Sequence, residues 1–420
     1  MHCHSELLLL PEPLLKGRTI QGITTKTFMS SSKWSERLER WNQKDVEVMT
    51  NYRTWIEVSR LAIRWNVKSI KARVSKRSLF LGVVKGNAWG CGTLEYAKTL
   101  IEAGVDWIGL TIIEDALLLR DNGINEPILI LCEIPLAGLR EAIMRQLRLT
   151  VCTRYTAKVI SDLAVEAKSV VNVHVKVNTG LNRIGVSLES AVDFILYVAK
   201  LPNLRIEGAF THFSCADRRE DDLTRKQLED FLLEMNKAKC LGVDIPILHA
   251  ANTPATLALP ETHLCMVRVG MGIAGLYPSK QFRQTIELRF PMIWKSNISF
   301  LRSVSAGERI GYGGRYKCNR STTIATIPVG TADGLSKRYE TNGFVLIKGH
   351  KCKIAAISMD QAMVDTGNLG NELKLHDEVV IIGKQGDAYI DPMIVADEIG
   401  ADVEELLCQI SYRVPRVYVN

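Results

Sequence analysis

At 420 residues, 46% apolar and 24% charged, the chain has the material for two globular domains, which excludes a disordered or fibrous protein. Its net charge of +7 comes from lysines and arginines interspersed with acids, which excludes a nucleic-acid-binding stripe and leaves a general preference for small anions. No apolar stretch approaches a membrane span, and Leu7 to Leu10, followed by Pro11 and Pro13, is too short for a signal-peptide core.

Residues 1–50 are polar, contain Ser30-Ser31-Ser32 and lack clear periodicity, so they are expected to form a mobile extension, helical over 33–43. From residue 79 to 270, short β-rich runs alternate with helical patterns. The runs are 79–84, 105–111, 127–132, 147–152, 171–177, 204–210, 246–249 and 264–269. Segments such as 114–122 and 223–241 between them carry apolar residues at three- and four-residue spacing. Eight strands separated by helices are the arithmetic of a (β/α)8 TIM barrel, here assigned to residues 51–288. A doubly wound open sheet competes, but no G-x-G-x-x-G follows the first run. Beyond residue 285 the runs 298–304, 322–328, 343–348, 353–358 and 378–383 are separated by turn residues, with one long helical pattern at 392–407. They predict a C-terminal, mostly-β domain over 289–420. Ten cysteines are scattered singly without a C-x-x-C pair, which predicts no metal site or disulfide framework and a reducing, cytoplasmic setting.

Barrel active sites sit at the C-terminal ends of the strands. Lys85 ends the first run and precedes the turn-forming Gly86-Asn87-Ala88-Trp89-Gly90-Cys91-Gly92. Two readings of it stand at this point: a solvated charge just past the strand, or a desolvated amine suited to attack a carbonyl cofactor. The fifth strand ends in Lys176 and leads to Arg183, the sixth in Thr211-His212-Phe213, and the seventh in His249-Ala250-Ala251-Asn252-Thr253. The eighth ends in Arg268-Val269-Gly270-Met271-Gly272. Thr253 with the N–H groups of Gly270 and Met271 could cradle a phosphate, although Thr253 could equally cap the next helix and His249 lie in the core.

In this order the motifs resemble the alanine racemase family of fold-type III pyridoxal-phosphate enzymes. The likeness spans about residues 53–418 and includes Val84-Lys85-Gly86-Asn87-Ala88-Trp89-Gly90, the segment from Val175 to Gly185, Thr211-His212-Phe213, His249 to Thr253 and Met266 to Gly270. Gly311-Tyr312-Gly313, Ala332-Asp333-Gly334, Ser358-Met359-Asp360-Gln361 and Arg413-Val414-Pro415-Arg416 extend it through the β domain. The resemblance implies pyridoxal 5'-phosphate bound covalently by Lys85, which is also one catalytic base. It implies Tyr312 as the opposing base, supplied across a homodimer with shared active sites. Arg268 then faces the pyridine nitrogen, and His212 stacks near the ring and orients Tyr312. Asn252, Thr253, Gly270 and Met271 serve the phosphate end. Arg183 and the backbone of Met359 hold the substrate carboxylate, and Lys176 matches a lysine that is often carbamylated.

Several positions depart from the family pattern. Trp89 replaces a phosphate-binding tyrosine, Cys91 a common histidine, and Thr331 and Ala274 two further tyrosines. Glu404 aligns where a tyrosine packs by the substrate methyl group. The resemblance therefore implies racemisation of L- and D-alanine, feeding D-alanine to bacterial cell-wall synthesis, with no nucleic-acid or membrane partner. Substrate choice is left open by Glu404 and Thr331, with serine or a basic amino acid as alternatives. More distant alternatives are a fold-type III decarboxylase and a non-catalytic cofactor-binding protein.

Overall fold

The computed structural model describes residues 52–218 and 222–420, so the extension over 1–50 lies outside the described residues. Eight parallel strands form the barrel: β2 (Leu79–Val83), β3 (Trp107–Leu110), β4 (Ile128–Ile130), β5 (Arg148–Val151), β6 (Val171–Asn178), β8 (Leu204–Phe210), β9 (Ile247–His249) and β10 (Met266–Val269). Each pairs with its neighbour in that order, β10 pairs with β2, and Cys265 N–H donates to Leu248 O at 3.0 Å to close the ring. A two-residue strand, β7 (Val186–Ser187), hangs on the end of β6. All eight expected runs are strands. Strands covered on both faces are apolar nearly throughout, and such runs are visible without periodicity.

The second sheet takes β11 (Met292–Asn297), β12 (Phe300–Val304), β15 (Thr322–Ile327), β16 (Phe344–Ile347), β17 (His350–Ile357), β18 (Ala362–Asp365), β19 (Glu378–Gln385) and β21 (Arg416–Val419). Its order is β12-β15-β18-β17-β16-β19-β11-β1-β21, with the short β20 (Ala388–Ile390) beside β19. Here β1 is Thr54–Ser59, antiparallel to β11 and parallel to β21. Assigning all of residues 51–288 to the barrel is therefore corrected at its start: the first described strand belongs to the C-terminal sheet. Its alternating sequence fits a sheet edge or interior equally well, and only the partner decides. The helical pattern over 392–407 is two helices, Pro392–Ile399 and Val403–Cys408. They are split at Gly400, whose φ of 66° ends the first in the left-handed region.

Ser59 ends β1 and caps the helix Arg60–Lys71, its Oγ accepting from Ala62 N–H at 3.1 Å, a contact worth about 1 kcal/mol. That helix buries Asn66, whose amide nitrogen donates to Ile273 O and Arg289 O and whose oxygen accepts from Arg289 N–H, tying barrel to β domain. Within the β domain, Asp333 is fully buried at the base of the 330–334 turn. It accepts from Arg53 through both carboxylate oxygens, from Arg413 Nε at 3.0 Å and from Gly330 N–H at 2.9 Å. Two guanidiniums on one buried carboxylate lock the turns carrying Thr331 and Met359, since Ala332 N–H donates to Met359 O at 2.9 Å.

Candidate active site

Lys85 leaves β2 in an extended conformation, and the chain then turns left-handed over four consecutive residues, Gly86, Asn87, Ala88 and Trp89, with φ of 58°, 53°, 54° and 52°. Three of these carry side chains, for which the left-handed region costs roughly 1–2 kcal/mol per residue. Neighbours hold the loop in place. Asn87 Oδ1 accepts from Thr93 N–H at 3.1 Å, Arg416 Nε donates to Gly90 O at 2.8 Å, and Tyr418 Oη donates to Cys91 O at 3.0 Å. The helix Val403–Cys408 lies so close that a methyl group on Gly86 would come within 2.6 Å of Cys408 Sγ. Persistent strain of this kind clusters at functional sites.

The Lys85 side chain is exposed at this tip, its Nζ 5.8 Å from the Trp89 ring centroid. Trp89 is buried with its benzo edge against Gly270, where an added Cβ would meet Cη2 at 2.6 Å. Thr253 Oγ1 accepts from Gly270 N–H at 3.2 Å, so that N–H is engaged and the Thr253 hydroxyl is left to donate elsewhere. Asn252 caps the short helix after β9 through Oδ1 to Ala255 N–H and donates to Phe213 O, which commits both halves of its amide.

Arg268 is 3% exposed, and burial pushes its pKa down to about 9, still protonated at neutral pH. It donates to Thr211 O at 2.7 Å, Ala250 O at 3.0 Å, His212 Nδ1 at 3.2 Å and His249 Nδ1 at 3.0 Å. Lys176 is 4% exposed, 4.9 Å from the Phe210 ring, and no carboxylate pairs with it among the described residues. Burial, then Arg268 and Arg183, push its pKa down to about 8, which leaves a partly neutral, nucleophilic amine. Arg183 is exposed above it at the barrel mouth. Among the described residues no cluster is arranged for a metal ion, and no helix is long and apolar enough to cross a membrane.

The remaining expected residues stand apart. Tyr312 is 84% exposed and Met359 69% exposed on the β domain, so neither packs against the barrel mouth of its own chain. Thr331 is exposed beside Met359. Glu404 is half-buried one helical turn from Cys408, and both Glu404 and Lys85 act on the Cys408 thiol, which burial raises. Sequence reasoning missed His174, Glu207 and Tyr418, and gave Arg416, though part of a family motif, no role. Residues 171–177 alternate apolar and polar, and His174 shares its face with Asn172 and Lys176, so it carried no signal of its own.

His174, His212 and His249 all have pKa values below the usual 6.5, burial being the largest cause. Below about pH 6.5 the unfolded chain takes up protons that the folded chain refuses, so stability falls with falling pH. The slope is up to about 1.4 kcal/mol per pH unit for each histidine. Thermal melting across this range is expected to show the midpoint dropping on the acid side of 6.5. A flat profile there would mean that the imidazoles take up protons in the folded state.

Residues 58–278 match the family model "Alanine racemase, N-terminal domain", and residues 291–418 match "Alanine racemase, C-terminal domain". Alanine racemase 1 of Oceanobacillus iheyensis is 36% identical over 374 residues, covering 88% of this chain and all of the relative. The solved alanine racemase of Clostridium difficile 630 superposes with a TM-score of 0.84 at 35% identity, covering 88% of this chain and 96% of that one. That of Bacillus anthracis with bound L-Ala-P gives 0.83 at 32% identity, covering 88% and 96%. With both domain models matched in order on a barrel that carries Lys85, Arg268 and Thr253 at one mouth, the chain belongs to the alanine racemase family, whose cofactor is pyridoxal 5'-phosphate.

Proposed function

We propose that this chain interconverts L- and D-alanine with two bases, Lys85 from one subunit and Tyr312 from a second copy. The observation that carries the reading is the Lys85 loop: an exposed amine on a strained turn, with Trp89, Gly270 and Thr253 beside it and Arg268 and His212 at the same barrel mouth. These residues fit the cofactor. The Thr253 hydroxyl and Met271 N–H suit its phosphate, Trp89 replaces a tyrosine by packing rather than by a hydroxyl, and Arg268 suits the pyridine nitrogen. When bound, pyridoxal phosphate supplies an electron sink that acidifies the substrate Cα–H.

The protein side must then move a proton from one face of Cα to the other, which needs a base on each face. Lys85 Nζ stands on one. Tyr312, exposed in isolation, stands on the other when a second copy docks. Arg268 donates to His212 Nδ1, so His212 Nε2–H faces outward and can orient the phenol. Arg183 and the backbone of Met359 hold the carboxylate. Lys176 takes up CO2: its neutral amine forms the N–C bond, one proton leaves, and the resulting carbamate balances Arg183. Intact-protein mass in bicarbonate buffer should show one added CO2 that Lys176→Met lacks. The enzyme would work in the cytoplasm and supply D-alanine for cell-wall synthesis.

A panel of L-amino acids, assayed with added pyridoxal phosphate, tests the substrate. Alanine is expected to rank first. Glu404, half-buried on the helix that contacts the Lys85 loop, favours a second reading in which serine or a basic amino acid leads, and that ranking would displace alanine.

A further inference from the structure

From Arg268 a series of side chains runs across the barrel interior through His249, His174 and Glu207 to Arg148. The Arg268 Nη1–H reaches His249 Nδ1 at 3.0 Å. His249 Nε2 lies 2.8 Å from His174 Nδ1, and His174 Nε2 lies 3.4 Å from Glu207 Oε2. Arg148 Nε closes the series on the same carboxylate oxygen at 3.2 Å. Both histidines are fully buried.

The direction of every link follows from its first member. A guanidinium has donors only, so His249 Nδ1 must accept and the ring must be neutral with its hydrogen on Nε2. That hydrogen faces His174 Nδ1, which must accept in turn, leaving the His174 hydrogen on Nε2 to point at Glu207. The same guanidinium fixes His212 as the Nε2–H tautomer. One arginine thereby sets three imidazoles, and one carboxylate ends the series.

The surrounding sequence is shaped to this series. Phe210 stacks on His249 at 4.8 Å with an interplanar angle of 12°, and Trp107 meets His174 edge-on at 5.7 Å. Trp107 also lies under the Arg148 guanidinium at 5.2 Å. The register of β6 against β8 slips between Val173 and His174, and a methyl group on the facing Gly208 would overlap the His174 ring. Residues on β5, β6, β8, β9 and β10 thus fill one half of the barrel with a polar series, while Leu81, Trp107, Leu129 and Met266 form a separate apolar cluster. Buried polar groups at this density are retained only when each is satisfied.

We propose that His249, His174 and Glu207 are positioning residues that hold the Arg268 guanidinium in one orientation toward the cofactor ring, with the Glu207 carboxylate as the fixed end of the series. Its link to catalysis rests on the reading that Arg268 faces the pyridine nitrogen. The series itself does not.

The first test needs no variant. Long-range 1H–15N correlation spectra of the 15N-histidine-labelled holoenzyme at neutral pH are expected to show His174, His212 and His249 as neutral Nε2–H tautomers. A His249 signal of the Nδ1–H form, or of an imidazolium, overturns the proposal. The second test compares Glu207→Leu, Glu207→Gln and Gly208→Ala. Glu207→Leu removes the terminal acceptor, and Gly208→Ala drives a methyl group against the His174 ring and the Ile247 carbonyl without removing a polar side chain. Both are expected to lower kcat about 10- to 100-fold, the range seen when partners behind a metal ligand are removed. KM should change little, and the absorbance of the bound cofactor should shift with the loss of kcat. Glu207→Gln keeps a carbonyl acceptor and is expected to restore the tautomers and most of kcat. A folded Glu207→Leu with unaltered kcat and cofactor absorbance overturns the positioning role. A wild-type protein that racemises no amino acid would sink the racemase reading instead, while the tautomers would still decide the series.

Discussion

Replacing Lys85 by alanine is expected to lower racemisation by about 10⁴-fold or more, equivalent to roughly 5.5 kcal/mol of transition-state stabilisation, the upper end of what one positioned base contributes. The substitution removes both the covalent anchor for pyridoxal phosphate and the base on one face of Cα. It leaves the fold intact, because the side chain is exposed and its backbone does the structural work of Trp89 N–H to Lys85 O at 3.1 Å. Two measurements check it: turnover from either enantiomer, and borohydride trapping followed by peptide mass analysis. Label on another lysine would undo the assignment. Small primary amines added to Lys85→Ala are expected to recover part of the lost activity, since what is missing is an amine at a known place.

Tyr312→Phe is expected to lower racemisation by about 10²- to 10⁴-fold in both directions, the loss of one general base. Both directions must fall together because enantiomers have equal free energies. Exchange of the Cα hydrogen with solvent deuterium separates this loss from general damage. With Lys85 still in place, one enantiomer should exchange without inverting and the other should not exchange. The most demanding version mixes the two inactive variants. If Lys85 and Tyr312 meet across a two-fold interface, half of randomly formed dimers are mixed, and each mixed dimer holds one complete site. About a quarter of wild-type activity should then return. Were both groups to act within one chain, mixing would return none.

The barrel was legible because its strands read as short β-rich runs, several of them apolar throughout, and because helical patterns lie between them. Lys85 was legible as a cation out of place at a strand tip. What was not legible depends on distant pairing. Thr54–Ser59 lies next in sequence to barrel elements yet pairs with residues 292–296 and 416–419, a relation no local pattern encodes. His174 lies 33 residues from Glu207 and 75 from His249 along the chain. Each alone reads as an ordinary polar residue in a strand, and their meaning comes from sharing the inside of a closed sheet. The left-handed turn at 86–89 was hidden for a different reason. Three of its four residues are not glycine, and several contacts that hold the loop come from residues 407–418, far along the chain.

That last dependence sets an order of events during synthesis. The lysine emerges from the ribosome more than three hundred residues before Arg416 and Tyr418, whose side chains clasp the carbonyls of Gly90 and Cys91. Both clasps are made last, so a chain truncated before residue 416 would lack the side chains that hold the carbonyls of Gly90 and Cys91 beside the lysine.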